Sequence, residues 1–78
     1  MTVDAAEASR RFELAGEAAA LLEEMGYVAV ARKRGDAITI DLWKVVRGEQ
    51  RSKRVDVVAA VESSEALAAE CARAFDET

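Results

Sequence analysis

The side chains that could act as nucleophiles lack a partner to activate them. The 78-residue chain contains several serines and one cysteine, Cys71, but no histidine. Serine and cysteine nucleophiles depend on an adjacent base, and zinc sites use histidine or several cysteines. We therefore expect no enzyme activity, no metal site and no cofactor. Cys71 shares a helical stripe with Leu67 and Phe75, which favours a buried, unreactive thiol.

The charged side chains are segregated along the chain. Residues 1–26 carry two basic and six acidic side chains, residues 27–61 carry eight and four, and residues 62–78 carry one and five, which sums to the net charge of −4. An acidic molecule gains little long-range attraction to a nucleic acid. The 51% apolar content is too high for a disordered chain. No run of apolar residues approaches a membrane span and no secretory signal is evident, so we expect a cytoplasmic protein without membrane contact.

Apolar residues recur at three- and four-residue steps near both ends of the chain. This spacing predicts a first helix over about 4–25, with Asp4 as its N-cap and Gly26 at its C-terminal end. Ser63 or Ser64, followed by Glu65, predicts the start of a second helix over about 64–76.

The central part of the chain alternates with a period of two. It predicts strands over about 27–33, 37–46 and 54–61. A three-residue loop with Gly35 in the left-handed conformation would place Val28 opposite Ile40 and Val30 opposite Ile38, and a longer polar connection over 47–53 would follow. The order α-β-β-β-α then predicts one α+β domain over 1–78, a two-layer sandwich in which two helices cover one face of a three-stranded antiparallel meander.

One face of this predicted sheet has no helix to cover it. Alternation assigns to it Tyr27, Trp43, Val45 and Val58, an apolar patch larger than a soluble monomer normally exposes. Aromatic side chains dominate interface energetics, so Trp43 would anchor a homodimer or a protein partner. The alternative is that the strands twist near Trp43 and that this side chain covers the end of the core.

Two charged surfaces are further candidates. Acidic helix residues could occupy a basic channel on a target: Glu7, Glu13, Glu17, Glu24, Glu65 and Glu70. Basic residues in the two turns, at opposite ends of the sheet, are the alternative nucleic-acid contacts: Arg32, Lys33, Arg34, Arg51, Lys53 and Arg54. Charged residues in turns are otherwise solvated or paired with acidic neighbours.

Carboxylates next to the predicted strands carry a resemblance to nucleases. The element order is that of the core of restriction-endonuclease-like nucleases, and residues 21–60 resemble the modified-DNA restriction nucleases of that superfamily through Leu22-Glu23-Glu24-Met25-Gly26-Tyr27, Gly35-Asp36 and Ile40-Asp41. The resemblance implies a metal at Asp41 and a Glu/Gln-x-Lys motif on the third strand, where this chain reads Arg54-Val55-Asp56-Val57-Val58. Because the lysine is missing, the resemblance implies at most an inactive remnant. Double-stranded-RNA-binding domains share the element order, but their second helix is basic and the helix predicted here is acidic.

Small size, acidity and lack of a catalytic site make the chain similar in kind to phage and mobile-element inhibitors such as anti-CRISPR proteins. We therefore expect a non-enzymatic protein-binding module or inhibitor, a homodimer, that acts through acidic helices and an apolar sheet face. A nucleic-acid-binding accessory protein and an inactive restriction-endonuclease-like remnant are the alternatives. No small-molecule substrate is expected.

Overall fold

The computed structural model describes residues 5–35, 37–57 and 61–77. Its elements are α1 (Ala5–Glu24), β1 (Val28–Arg34), β2 (Ala37–Val46), β3 (Glu49–Asp56) and α2 (Ser64–Asp76). The strands form an antiparallel sheet in the order β1-β2-β3, so the predicted α+β fold with α-β-β-β-α order is confirmed. Asp4, Asp36 and Val58, which the sequence predictions use, lie outside the described residues.

Helix α1 packs on the sheet through a face of small residues. Ala15 and Ala18 are fully buried there with Leu22, and alanine lets the helix approach the strands closely. Arg11 lies on the same face and is only 9% exposed. Its Nη1 donates to the Val57 carbonyl oxygen at 3.4 Å, which ties α1 to the chain that leaves β3. Its Nε has no hydrogen-bond partner among the described residues.

Helix α2 begins where a serine cap was predicted. Ser63 is extended, and its side-chain oxygen accepts a hydrogen bond from the Ala66 backbone N–H at 3.1 Å. This bond satisfies one of the free N–H groups of the first turn. Leu67, Cys71 and Phe75 then form the buried stripe of the helix.

The register of the first hairpin differs from the sequence prediction by three residues. Arg34 pairs with Ala37, so only two residues form the loop, and Gly35 has a positive φ of 57°. Val28 therefore lies opposite Trp43 rather than Ile40, and Val30 lies opposite Asp41 rather than Ile38. A shift by an odd number of residues moves every side chain of a strand to the other face. The predicted faces of β1 were consequently wrong.

The physical reason for this register is visible in the core. It turns Tyr27 inward, where its ring meets Phe75 edge-on at 5.1 Å between centroids and 78° between planes. Burial, and secondarily Asp76, raises the pKa of Tyr27. The Nζ atom of Lys44 lies 5.1 Å from the centre of the same ring, a cation–π distance. Burying the large aromatic ring contributes more free energy than is lost by leaving the side chains of Val28 and Val30 exposed.

The second hairpin is also tighter than predicted. Val46 pairs with Glu49 across a two-residue turn, in which Arg47 and Gly48 have φ values of 54° and 82°. Two successive left-handed residues are typical of the hairpin turn that matches strand twist. The predicted connection over 47–53 was therefore wrong, because β3 runs from Glu49 to Asp56 and begins five residues before the predicted third strand over 54–61. Residues 58–60 of that prediction lie outside the described residues.

The buried thiol provides a test of the core. Cys71 is fully buried, and desolvation, with a smaller effect of Glu70, raises its pKa to about 11. Since the thiolate is the reactive form, we expect a thiol reagent at neutral pH to label the folded protein at least about a hundredfold more slowly than the urea-unfolded chain. A Ser52→Cys variant, which adds an exposed thiol, is the control. Equal rates for the folded and the unfolded wild type would contradict the burial of Cys71.

Candidate functional site

The surface of the sheet that points away from the helices is the strongest candidate site, and we call it the open face. Its members follow from alternation along each strand and from the pairing register. They are Val28, Val30, Arg32 and Arg34 of β1, Ala37, Thr39, Asp41, Trp43 and Val45 of β2, and Gln50, Ser52, Arg54 and Asp56 of β3.

One half of the open face is apolar. Trp43 lies half-buried between Val28 on β1 and Ser52 on β3. Val28 is 44% exposed, Val30 37% and Val45 64%. The predicted interface residues Trp43 and Val45 are thus on this face.

Two of the predicted interface residues are not found there. Tyr27 is in the core, 8% exposed, for the reason of register given above, and Val58 is outside the described residues. Val28 and Val30, which sequence reasoning assigned to the core, take part instead. The Gly35-Asp36 dipeptide was the signal that could have identified them, because a two-residue loop is the shortest common hairpin connection.

The other half of the open face is an ion-pair network centred on Asp41. Arg54 lies directly opposite Asp41 in the β2–β3 register, and its Nε donates to Oδ1 at 2.8 Å. The Nε of Arg32 contacts Oδ2 at 2.7 Å. Each carboxylate oxygen therefore has one arginine partner, and the pKa of Asp41 is lowered, first by the hydrogen bond from Arg54 and further by the charge of Arg32.

A third arginine completes a basic cluster at this end of the sheet. Arg34 lines a shallow concavity together with Arg32, Arg54, Ala37 and Thr39. The sequence prediction placed Arg54 in a second cluster at the opposite end of the sheet, and this was wrong. The tight Arg47-Gly48 turn is the reason, because it pairs Arg54 with Asp41.

The other predicted nucleic-acid contacts lie elsewhere. By alternation and register, Lys33, Arg51 and Lys53 fall on the helix side of the sheet, and all three are exposed. The six basic residues thus divide into three on the open face and three on the opposite face.

The helix layer has the opposite charge to the sheet layer. All six glutamates predicted to face a partner are exposed: Glu7, Glu13, Glu17, Glu24, Glu65 and Glu70. Three of them, Glu17, Glu24 and Glu65, line a groove between α1 and the start of α2.

The described residues contain no group of three or more metal-ligating side chains. The nuclease resemblance assigned a metal to Asp41, but both oxygens of this carboxylate contact arginines instead. Within the same described residues, no helix has the length and hydropathy needed to cross a membrane.

Comparison of the chain with family models, curated proteins and solved structures finds no match. The open face therefore has to be interpreted from its own residues.

The lowered pKa of Asp41 predicts a pH dependence of stability. A carboxyl group whose pKa is lower in the folded than in the unfolded chain stabilises the fold above its ordinary pKa of 3.8, and this stabilisation is lost as the pH falls through the lowered value. We expect the free energy of unfolding in urea to fall on acidification below about pH 5, and to fall less in Asp41→Asn. Asp56→Asn, which removes another carboxylate of the open face, is the matched control. An identical acid dependence in wild type and Asp41→Asn would contradict the network.

Proposed function

We propose that the protein is a non-enzymatic binding module that docks another protein on its open face. The observation that carries this proposal is the position of Trp43 between exposed Val28 and Val45, next to two arginines held by Asp41. Tryptophan and arginine are the residues most enriched among interface hot spots, and such residues cluster near the centre of an interface.

Two of the three arginines of the open face, Arg32 and Arg54, are held in place before a partner arrives. Asp41 binds one nitrogen of each guanidinium, and a guanidinium has five N–H donors. Fixing a long side chain in advance reduces the conformational entropy lost on binding. The remaining donors of Arg32 and Arg54 suit carboxylates or carbonyl groups at the rim of a partner.

The charge of the open face indicates the chemistry of that partner. Three arginines, Arg32, Arg34 and Arg54, outnumber the carboxylates Asp41 and Asp56, and the charges lie at one end while Trp43 and Val45 lie toward the other. A complementary surface is apolar toward one end and acidic toward the other.

A protein fits this face better than a polyanion does. Asp41 lies in the middle of the face and Asp56 in the next row, where each would repel phosphate. Binding of a phosphate backbone depends on several cations acting together, and here two of the three arginines already neutralise a carboxylate.

The central test measures how much Trp43 contributes to the affinity for the partner. A photo-crosslinking residue at position 45 would first capture the partner from the native host, and the purified partner would then be titrated against the purified protein. We expect Trp43→Ala to raise the dissociation constant by at least about thirtyfold, as a central hot spot does. Met25→Ala, which removes a large apolar side chain that is 51% exposed directly after α1, is the matched control and should change the dissociation constant by less than about threefold.

The proposal would be overturned if Trp43→Ala left the affinity unchanged and charge reversal of Glu13 and Glu17 abolished binding. The docking surface would then lie on the acidic helices. The narrower role of an anti-CRISPR-type inhibitor stays a prediction from size and charge segregation.

The basic concavity formed by Arg32, Arg34 and Arg54 favours a second candidate function, binding of single-stranded nucleic acid with Trp43 as a stacking platform. Trp43 is the only tryptophan, so its fluorescence reports directly on the open face. We expect a single-stranded oligonucleotide to leave this fluorescence unchanged, even at low salt. Quenching that weakens steeply between low and physiological salt, and that Arg34→Ala reduces, would support the nucleic-acid function instead.

A further inference from the structure

Strand β1 is an edge of the sheet formed by the described residues, and the hydrogen-bond pattern shows which of its backbone groups face outward. The Val57 N–H donates to the Ile38 carbonyl at 2.8 Å, so these two opposed residues are a hydrogen-bonded antiparallel pair. Because such pairs alternate with non-bonded ones along a ladder, even-numbered residues of β2 bond to β3 and odd-numbered ones to β1. The backbone N–H and C=O groups of four residues of β1 therefore point toward β2: Val28, Val30, Arg32 and Arg34.

The remaining residues of β1 present their backbone N–H and C=O groups away from the sheet. These are Ala29, Ala31 and Lys33, and the described residues provide no partner for these groups. The segment Val28-Ala29-Val30-Ala31 carries no charge. The charges of β1 are confined to one end, at Arg32–Arg34, whereas charged residues occur along the whole length of β3, from Glu49 to Asp56. Charged side chains are a common protection against edge-to-edge pairing.

We propose that β1 of a second copy of this chain pairs antiparallel with β1, with Ala31 opposite Ala31 on the two-fold axis. In this register Ala29 of each copy lies opposite Lys33 of the other, so all three outward residues of each strand are hydrogen-bonded. A register shifted toward Tyr27 would need the Tyr27 N–H to pair with the second copy. This N–H already donates to the Leu22 carbonyl, so such a register is disfavoured. The result is one continuous six-stranded sheet.

The helices are spaced correctly for this dimer. Helix α1 contacts both β1 and β2, so its axis lies slightly inside the β1 edge. Adjacent strands are about 4.8 Å apart, which places the two copies of α1 at about 10 Å, a normal packing distance for two helices.

The flank of α1 that would meet its copy has the composition of a helix contact. At about 100° per residue, Phe12, Gly16 and Ala19 share one flank, roughly opposite Leu14 and Leu21. A phenylalanine is exposed on this flank. A Cβ added at Gly16 would meet no described atom within 4 Å, so packing among the described residues does not require this mid-helix glycine. Close approach of a second copy of α1 would account for it.

The charges at the two ends of β1 are complementary under the same symmetry. Helix α1 ends in Glu23 and Glu24 and has no basic residue in its last turn, whereas β1 ends in Lys33 and Arg34. Antiparallel pairing brings this basic end beside the acidic C-terminus of the other copy of α1, where a positive charge also favours the helix dipole. Lys33, on the helix side of the sheet, would pair with Glu23 of the second copy.

Sedimentation analysis with charge-swapped variants tests this arrangement. We expect the wild type to sediment as a dimer of twice the 8.4-kDa chain mass. Lys33→Glu and Glu23→Lys should each raise the dimer dissociation constant by about tenfold, and the double variant should restore most of the loss, since the pair is re-formed with opposite signs. A wild type that stays monomeric well above micromolar concentration, or a double variant as weak as the worse single one, would overturn the proposal.

A pair of proline substitutions separates the two edges. Ala31→Pro removes an outward N–H of β1 without removing a bond within the sheet, and edge strands accept proline at such positions. Ser52→Pro does the same on β3 and is the matched control. We expect Ala31→Pro to be monomeric and Ser52→Pro to be dimeric, with circular dichroism reporting that each is folded.

The dimer and the docking function are independent and fail separately. Trp43→Asp should abolish partner binding and leave the dimer intact, because the open face is not used in edge pairing. If Trp43→Asp instead gives a monomer while the Lys33→Glu variant remains dimeric, the two copies associate face to face and the edge proposal is wrong.

Discussion

The two-residue turn at Gly35 is the constraint on which the rest of the molecule depends. With Arg34 paired to Ala37, every odd-numbered residue from Tyr27 to Lys33 faces the helices and every even-numbered residue faces away. This parity places Tyr27 against Phe75 and Arg32 beside Asp41. It also points the backbone N–H and C=O groups of Ala31 away from β2, toward the free edge of the sheet. Because side chains alternate strictly along a strand, none of these three features can change without the others. The core, the ion-pair network and the free edge are therefore consequences of a single register.

Asp41 connects the register to the electrostatics of the open face. It stands where two arginines from the two outer strands converge, so one carboxylate bridges all three strands. Exposed ion pairs contribute little stability individually, and here the fold is already held by the layer of Ile40, Leu42 and the helices on the other side. We infer that the network matters more for orienting guanidinium groups than for stabilising the sheet. The same neutralisation makes the basic residues of this face a weaker site for phosphate than their number implies.

The elements that bury apolar side chains were predictable from the sequence, and the polar ones were not. The helical stripe of α1 and the Ser63 cap of α2 follow from spacing and capping chemistry, as does the alternation of Ile38, Ile40 and Leu42. Residues 49–54 form a strand although all are polar or charged and exposed, because a ladder is made by backbone groups and needs no apolar periodicity. The prediction of which side chains of β1 are buried was wrong for a related reason. Alanine and valine alternate in this strand, so either face could be the buried one, and the length of the loop decides between them.

The corrected register also changes what the apolar content of the chain implies about association. With Tyr27 in the core, the open face retains one aromatic side chain, Trp43, and a few partly exposed valines, which is less apolar surface than the sequence suggested. A face of this composition suits a partner of matching charge pattern better than a second copy of itself, since two copies face to face would oppose one arginine-rich surface to another. Backbone pairing at the β1 edge instead sets Lys33 of each copy beside the acidic end of α1 of the other copy. A small sheet covered on one side can thus use its edge for its own copy and keep its open face for a different protein.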